Sequence, residues 1–393
     1  MATPKLRFPA FEEKWNKQRL DSFLERVSNP IDVIPNKKYS QIGIRSHGKG
    51  IFHKEAVTGE ELGNKRVFWV EPNALVVNIV FAWERAIAVT SDAEKGMIAS
   101  HRFPMYLPKN NLSNVNFLRY LFVTDKGQSY LELASPGGAG RNKTLGQSNF
   151  SELKIDLPSL EEQTKIATFL STVDEKISQL SQKLHLLGQY KQGMMQKLFS
   201  QQIRFKADDG SEFGEWEEKK LGEICQFING RAYKQTEWEK EGIPVIRLQN
   251  LTGSGKEYYY SNLNLPAHQY CYNNDLLYMW SATFGPVFWQ GEKAIFHYHI
   301  WKIEVNPSLL DRKYMYFLLD EMTEKMKRSL NGSTMLHVTK QGMENTQKIV
   351  PSLPEQTKIA NFLSAIDQKI NVVSEQLEQA RLWKKGLLQQ MFV

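Results

Sequence analysis

Three short stretches of this 393-residue chain concentrate side chains that donate hydrogen bonds from a fork or a planar amide. "GIRSHGKG" carries Arg45, His47 and Lys49, "FINGRAYKQ" carries Arg231 and Lys234, and "VIRLQNLTGSGK" carries Arg247, Gln249 and Asn250. Arginine matches the guanine edge with two prongs, and glutamine or asparagine matches the adenine edge. Lysine and arginine also neutralise phosphates. Two polar, glycine-bearing loops repeat the same donor types. "SPGGAGRNKTLGQSNF" holds Arg141, Asn142 and Lys143, and "NGSTMLHVTKQGMENTQ" holds Asn331, Thr334 and His337. Aromatic residues interleave with several of these clusters. Either of these two loops, taken alone, reads equally well as an ordinary solvated loop. The formal charge of +7 favours a polyanionic partner, although many soluble enzymes share that balance.

The residue types that catalysis needs are not gathered anywhere. "GIRSHGKG" imitates a phosphate loop, but Gly50 stands where a serine or threonine must hold the metal. The chain has no G-x-S-x-G, H-E-x-x-H or dinucleotide fingerprint, and no NPPY-type methyltransferase or PD…ExK nuclease pattern. His297 and His299 in "FHYHI" would share one strand face, where packing is a better account than a metal. Cys225 and Cys271 lack histidines at ligand spacing and read as free thiols. The expectation is a chain with no metal or cofactor of its own. No apolar run approaches the roughly 18 residues of a membrane span. The start "MATPKLRFPAFEEKW" has no secretory core and is too acidic for a transit peptide, so a cytoplasmic location is expected.

The elements that must position these clusters are announced by a repeat. Shifting the chain by 193 residues lays Leu157–Phe199 on Val350–Phe392 without a gap, with about half of the pairs identical. The shared residues include Pro158/Pro351, Glu162/Glu355, Gln163/Gln356, Asp174/Asp367 and Phe199/Phe392. The segments ahead of the blocks also match. "LRF" (Leu6–Phe8) precedes Trp15, and "IRF" (Ile203–Phe205) precedes Trp216. Between these markers the blocks diverge.

Within the repeat, apolar residues step by four and three. The first copy gives Ile166, Leu170, Val173, Ile177, Leu180 and Leu184; the second gives Ile359, Leu363, Ile366, Ile370, Val373 and Leu377. This is a coiled-coil seam. It meets a lysine at the same place in each copy, Lys191 and Lys384. Either these lysines fix register, or the seam ends there and they reach for solvent. Two such helices pair most simply with each other, antiparallel across a pseudo-two-fold axis. The blocks read as mixed strand and helix. "RVFWVEPNALVVNIVFAW", "GIPVIRLQNL" and "KAIFHYHIWKIEV" are strand-like, while "NVNFLRYLF" and "DRKYMYFLLDEMTEKMKRSL" are helical. The expected fold class is therefore α+β: two α/β domains separated by an antiparallel two-helix coiled coil. Its segments are residues 1–156, 157–200, 201–349 and 350–393.

The repeated "lP-x-l-x-EQ-x-kI-a-x-fL-s-x-x-D-x-kI" resembles the conserved regions of specificity subunits of type I restriction–modification systems, and the blocks resemble their target recognition domains. "IPVIRLQNL" and "SATFGPVFW", with Ser281 and Thr283, look like segments common in such domains. "NIVFAWERAIAV", with Trp83, looks like the counterpart of the second, with "AWER" where a glycine is common. The resemblance implies a non-catalytic chain in which each block reads half of a bipartite, asymmetric site on double-stranded DNA. It implies that the helices set the spacing and dock two modification (methyltransferase) subunits. Two restriction (motor–nuclease) subunits complete the complex. S-adenosylmethionine, ATP and Mg then belong to those partners, and no membrane is involved. The alternatives are a coiled-coil adaptor without a nucleic-acid role, which a steep salt dependence of DNA binding excludes, and an enzyme hidden in one block, which predicts turnover by the chain alone.

Overall fold

The computed structural model describes residues 3–137, 143–281, 283–329 and 338–392. Two units divide the chain. One is Met1–Gln182 with Glu375–Val393, and the other is Lys183–Ser374. Each takes one recognition block and parts of both long helices.

In the first unit the strands are β1 (Asn16–Arg19), β2 (Leu24–Val27), β3 (Lys38–Ile44), β4 (Ile51–Thr58), β5 (Val67–Trp69), β6 (Leu75–Val77), β7 (Ile87–Val89), β8 (Ile98–Ser100), β9 (Met105–Pro108) and β10 (Lys154–Leu157). Its helices are α1 (Leu20–Phe23), α2 (Gly59–Leu62), α3 (Val115–Phe122), α4 (Asp125–Leu133), α5 (Gln147–Glu152) and the first part of α6 (Leu160–Phe199). In the second unit the strands are β11 (Glu217–Lys220), β12 (Cys225–Asn229), β13 (Ile243–Ile246), β14 (Tyr259–Ser261), β15 (Tyr270–Cys271), β16 (Leu276–Ser281), β17 (Thr283–Phe288), β18 (Ala294–Phe296), β19 (Ile300–Val305) and β20 (Gln347–Val350). Its helices are α7 (Leu221–Ile224), α8 (Leu248–Thr252), α9 (Arg312–Ser329), α10 (Lys340–Glu344) and the first part of α11 (Leu353–Met391).

The divergent blocks share one topology. Sheets ordered β2-β9-β6-β7 and β4-β3-β8-β5 in the first unit answer to β12-β19-β16-β17 and β14-β13-β18-β15 in the second. The central sheet of each is buried on both faces, because strand side chains alternate. In β6, Leu75 and Val77 pack with α3 and α6, while Val76 packs between the two sheets with Ile42 and Ala99. In β16, Leu276 and Tyr278 face the helices, while Leu277 and Met279 face the second sheet.

The long helices pair antiparallel inside each unit. Ile166, Leu170 and Val173 of α6 pack with Leu387 and Met391 of α11. In the second unit Met195 and Leu198 of α6 pack with Ile359, Leu363 and Ile366 of α11. Every seam position, including Ile177, Leu180, Leu184, Ile370, Val373 and Leu377, is buried or half-buried. Near the end of α6 the four-and-three stepping from Lys191 would place Met194 in the seam, but Met195 is the buried one, the drift of a 3.6-residue helix against a 3.5-residue seam.

The repeated "EQ" closes each unit. The Glu162 carboxylate accepts two bonds of 2.7 Å from Arg7, and Glu355 accepts bonds of 3.1 and 2.8 Å from Arg204 and one of 3.0 Å from the Trp216 indole. Gln163 accepts from the Asn114 amide and donates to Leu112 and Pro158 carbonyls. Gln356 does the same with Asp311, Leu309 and Pro351. The opening signature and the repeat thus form one clamp, in which β1 pairs with β10 and β11 with β20.

Lys191 and Lys384 neither end the seam nor reach for bulk water. Lys191 lies 2.8 Å from Asp367 and 3.5 Å from Asp320, and Lys384 pairs with Asp174. Since Lys191/Lys384 and Asp174/Asp367 are aligned pairs of the repeat, each lysine meets the other copy's aspartate.

Candidate nucleic-acid interface

In the second unit the candidate donors converge at the carboxyl ends of β13 and β18, which pair in parallel. Arg247 follows β13, and its guanidinium lies 4.0 Å over the Tyr259 ring and 6.0 Å from Trp238. Tyr259 and Trp238 are 4.3 Å apart, Trp238 stacks on Tyr233 at 5.2 Å, and Arg231 lies 4.7 Å over Tyr233. The two arginines therefore flank a ladder of three aromatic rings, an arrangement that orients cations while keeping them charged. Gln249, with its amide oriented to satisfy both partners, accepts from the Arg247 guanidinium. Among the described residues the buried Arg247 Nε has no hydrogen-bond partner. Gly230 allows the crossing, because a side-chain carbon there would fall 2.2 Å from the His297 carbonyl oxygen.

"FHYHI" is not one strand. β18 ends at Phe296 and β19 begins at Ile300, so His297–His299 form the turn between them. The turn closes because the Ile300 amide bonds back to the His297 carbonyl. The imidazoles lie 5.1 Å apart, and Trp280 packs edge-on to His299. Burial, with His299 and the Arg247 charge beside it, pulls His297 down to about 4, and burial also lowers His299. The His297 ring is neutral at pH 7.

"GIPVIRLQNL" is likewise only half strand, since Leu248 onwards forms α8. Asn250 caps this turn. It accepts from the Arg247 amide and donates to the Gly255 and Glu257 carbonyls, so its amide is spent inside the loop. Lys234 is exposed, and its backbone amide donates to Glu237. Ser281 and Thr283 sit at the tip of the β16–β17 hairpin.

In the first unit the turn between β3 and β4 carries Arg45, His47 and Lys49, all exposed. It is pinned by bonds from the His47 amide to the Glu84 carbonyl (2.7 Å) and from Gly48 to Arg85 (2.9 Å). Gly48 has φ +65°, and a side-chain carbon there would meet Val123 at 2.5 Å. These bonds bring the turn to Trp83, over which Lys143 sits at 5.9 Å. Arg45 packs over Phe52. The β6–β7 connection is a nine-residue excursion with a 3₁₀ turn at Ala82–Glu84 and Arg85 left-handed, whereas β16 and β17 stay paired out to Ser281 and Thr283. Arg85 was not singled out from the sequence, yet it reaches the Val123 carbonyl and Asp125. Arg141, Asn142, Asn331, Thr334 and His337 lie outside the described residues. The rest of their loops is partly helical, as α5 and α10.

The family model described as the type I restriction modification DNA specificity domain matches residues 72–187 and 214–381. The chain belongs to this family. Both matched stretches run from a recognition block into a long helix, so the match follows the duplication. A type I restriction enzyme specificity subunit of Methanocaldococcus jannaschii, MjaVIII, is 28% identical over 98% of this chain and 92% of its own length. A putative specificity subunit of the same organism, MjaX, is 25% identical over 96% and 92%. Among solved structures, a type I restriction–modification S subunit from M. genitalium superposes with a TM-score of 0.61 at 17% identity, covering 100% of this chain and 99% of that one. The HsdS subunit from Thermoanaerobacter tengcongensis gives 0.52, 17% and 97% of each chain. At such identities the structural matches speak for the fold alone.

The specificity chain has quiet chemistry elsewhere. Cys225 and Cys271 are free and buried, and burial pushes both thiols up to about 12. Among the described residues no group of three or more His, Cys, Asp or Glu side chains could hold a metal, and no helix is long and apolar enough to cross a membrane.

Proposed function

We propose that each unit reads one half of a bipartite, asymmetric DNA site, and that the paired helices set the gap between halves and seat the modification subunits. One observation carries this reading. Two units of the same topology and the same clamp present different donor sets: Arg45, His47, Lys49, Trp83 and Lys143 in one, and Arg231, Arg247, Gln249 and the aromatic ladder in the other. A repeated scaffold with divergent donors suits two identical partners and an asymmetric site. The loop residues Arg141, Asn142, Asn331, Thr334 and His337, and the hairpin-tip residues Ser281 and Thr283, are proposed to complete the two surfaces. α6, at 40 residues, extends about 60 Å at 1.5 Å per residue, longer than the roughly 34 Å of one DNA turn.

The seam residues are consumed by helix pairing. Modification subunits would therefore meet the outer faces, where Leu186 and Tyr190 of α6 and Leu382 and Trp383 of α11 are each more than half exposed. Tyr190 and Trp383 are again an aligned pair of the repeat. Methyl transfer and its S-adenosylmethionine, and cleavage with its ATP and Mg, are assigned to the partners.

Genome-wide adenine methylation, mapped with and without this gene, tests the reading. Loss of one motif made of two short blocks around a fixed gap is the expected result. An unchanged map in cells that express active modification subunits would refute it.

A further inference from the structure

A groove in the first unit, of roughly 460 Å³, lies between the last turns of α11, the β3–β4 turn and the start of α4. Six of its lining residues carry a basic group: His47, Arg85, Lys126, Arg381, Lys384 and Lys385. One acid, Asp125, also lines it. Three of the cations are already engaged. Arg85 pairs with Asp125 at 2.7 Å, Lys126 with Asp156 at 3.4 Å, and Lys384 with Asp174. Arg381 and Lys385 are exposed and have no ion pair among the described residues. Four residues apart on α11, they share one face of the helix.

The repeat supplies an internal comparison. Arg381, Lys384 and Lys385 align with Gly188, Lys191 and Gln192, and these three line the corresponding cleft of the second unit. That cleft holds Asp320, Glu321 and Glu324 with Arg328. The lysine common to both copies is the one tied into a structural ion pair. The cations present in one copy only are the ones left unpaired, and glycine and glutamine fill their places in the other. The helix pair therefore does not need Arg381 or Lys385.

The groove is continuous with the candidate reading surface. His47 and Gly48 line it, and the same turn carries Arg45 and Lys49. A duplex whose base edges meet that turn brings its own phosphates alongside.

We propose that this groove grips the sugar–phosphate backbone beside the half-site read by the first unit, with Arg381 and Lys385 each neutralising one phosphate, and that the corresponding cleft of the second unit, lined by Asp320, Glu321 and Glu324, does not. The inference rests on the proposed DNA reading. The test is the salt dependence of binding of the full chain to a duplex carrying the motif found by methylation mapping. Each phosphate contact contributes about 0.9 to the slope of log K against log salt. Arg381→Gln with Lys385→Gln should make the slope shallower by about 1.8. Between about 50 and 200 mM salt the variant then loses ~12-fold less affinity than the parent. A control with the same charge loss outside the groove, Lys176→Gln with Lys183→Gln, should keep the parent slope. The proposal is overturned if the groove variant keeps the parent slope or the control loses as much. It is also overturned if the groove variant binds DNA like the parent but captures modification subunits less well, which would give the groove to an acidic protein surface. If the parent chain itself shows no preference for the motif, the reading of function falls first, and the groove with it.

Discussion

The two seam lysines occupy aligned positions, yet removing them should not have equal effects. Lys191 is 17% exposed and stands between Asp367 and Asp320. Burial pulls its ammonium down, but Asp367 and Asp320 more than offset this and hold it above its ordinary value. Burial pushes the Asp320 carboxyl up, which Lys191 only partly opposes. Lys191→Met leaves two half-buried carboxylates facing each other. Breaking a buried pair costs about 3–5 kcal/mol. The carboxylates keep 27% and 28% exposure, so about 2–3 kcal/mol is expected here. Lys384→Met leaves Asp174 with the Tyr120 hydroxyl at 2.7 Å and Arg119 at 3.6 Å, and should cost only about 0.5–1 kcal/mol. Because the Lys191 value is raised, its contribution is present below pH 10.5 and is lost as the pH rises above that. Two units need not unfold together, so the assay is hydrogen exchange of the full chain in rising urea, read unit by unit. Asp320→Asn should recover about 1 kcal/mol in the Lys191→Met background by removing one of the opposed charges. Equal losses for the two lysines, or no recovery by Asp320→Asn, would refute this account of the pairs.

Three further outcomes are expected. Glu355→Ala strands Arg204 and the Trp216 indole and should destabilise the second unit by about 3 kcal/mol. Glu162→Ala should cost less, because among the described residues the Trp15 indole has no hydrogen-bond partner to lose; urea midpoints for each unit check both. Leu363 is fully buried, so Leu363→Asp places a charge in the helix seam and should unfold the second unit's helix pair, seen as lost exchange protection in α11; retained protection would count against the seam. His297 titrates at about 4 in the fold against 6.5 when unperturbed, so the second unit should lose on the order of 2 kcal/mol as pH falls from 6.5 towards 4. His297→Gln should abolish that loss, and an NMR titration midpoint near 6.5 in the folded chain would contradict it.

The scaffold is legible in the sequence because it is written twice and is periodic. Steps of four and three along Ile166–Leu184 leave little freedom of interpretation, and the structure buries or half-buries every position. The ion pairs were readable in principle. Asp174/Asp367 and Lys191/Lys384 are two pairs of positions identical in both copies of the repeat that only an antiparallel pair brings together. The roles of Glu162 and Gln163 were hidden because their partners, Arg7 and the Leu112–Asn114 turn, are distant in sequence. Short polar–aromatic runs proved the least legible. "FHYHI" has strand composition, yet the chain turns within it, and the turn is held by backbone bonds between Phe296–Tyr298 and the distant residues Arg231 and Ile246. The ladder Arg231–Tyr233–Trp238–Tyr259–Arg247 joins three separate segments, and no local pattern signals such a meeting.

The most direct test of the account is a domain exchange read by methylation mapping. Residues 1–156 are replaced by the corresponding block of another specificity subunit, and the hybrid is expressed with active modification subunits. The account predicts that one half of the methylated motif changes while the other half and the gap stay as they were. A change in both halves, or in neither, would contradict the claim that each unit reads its own half-site.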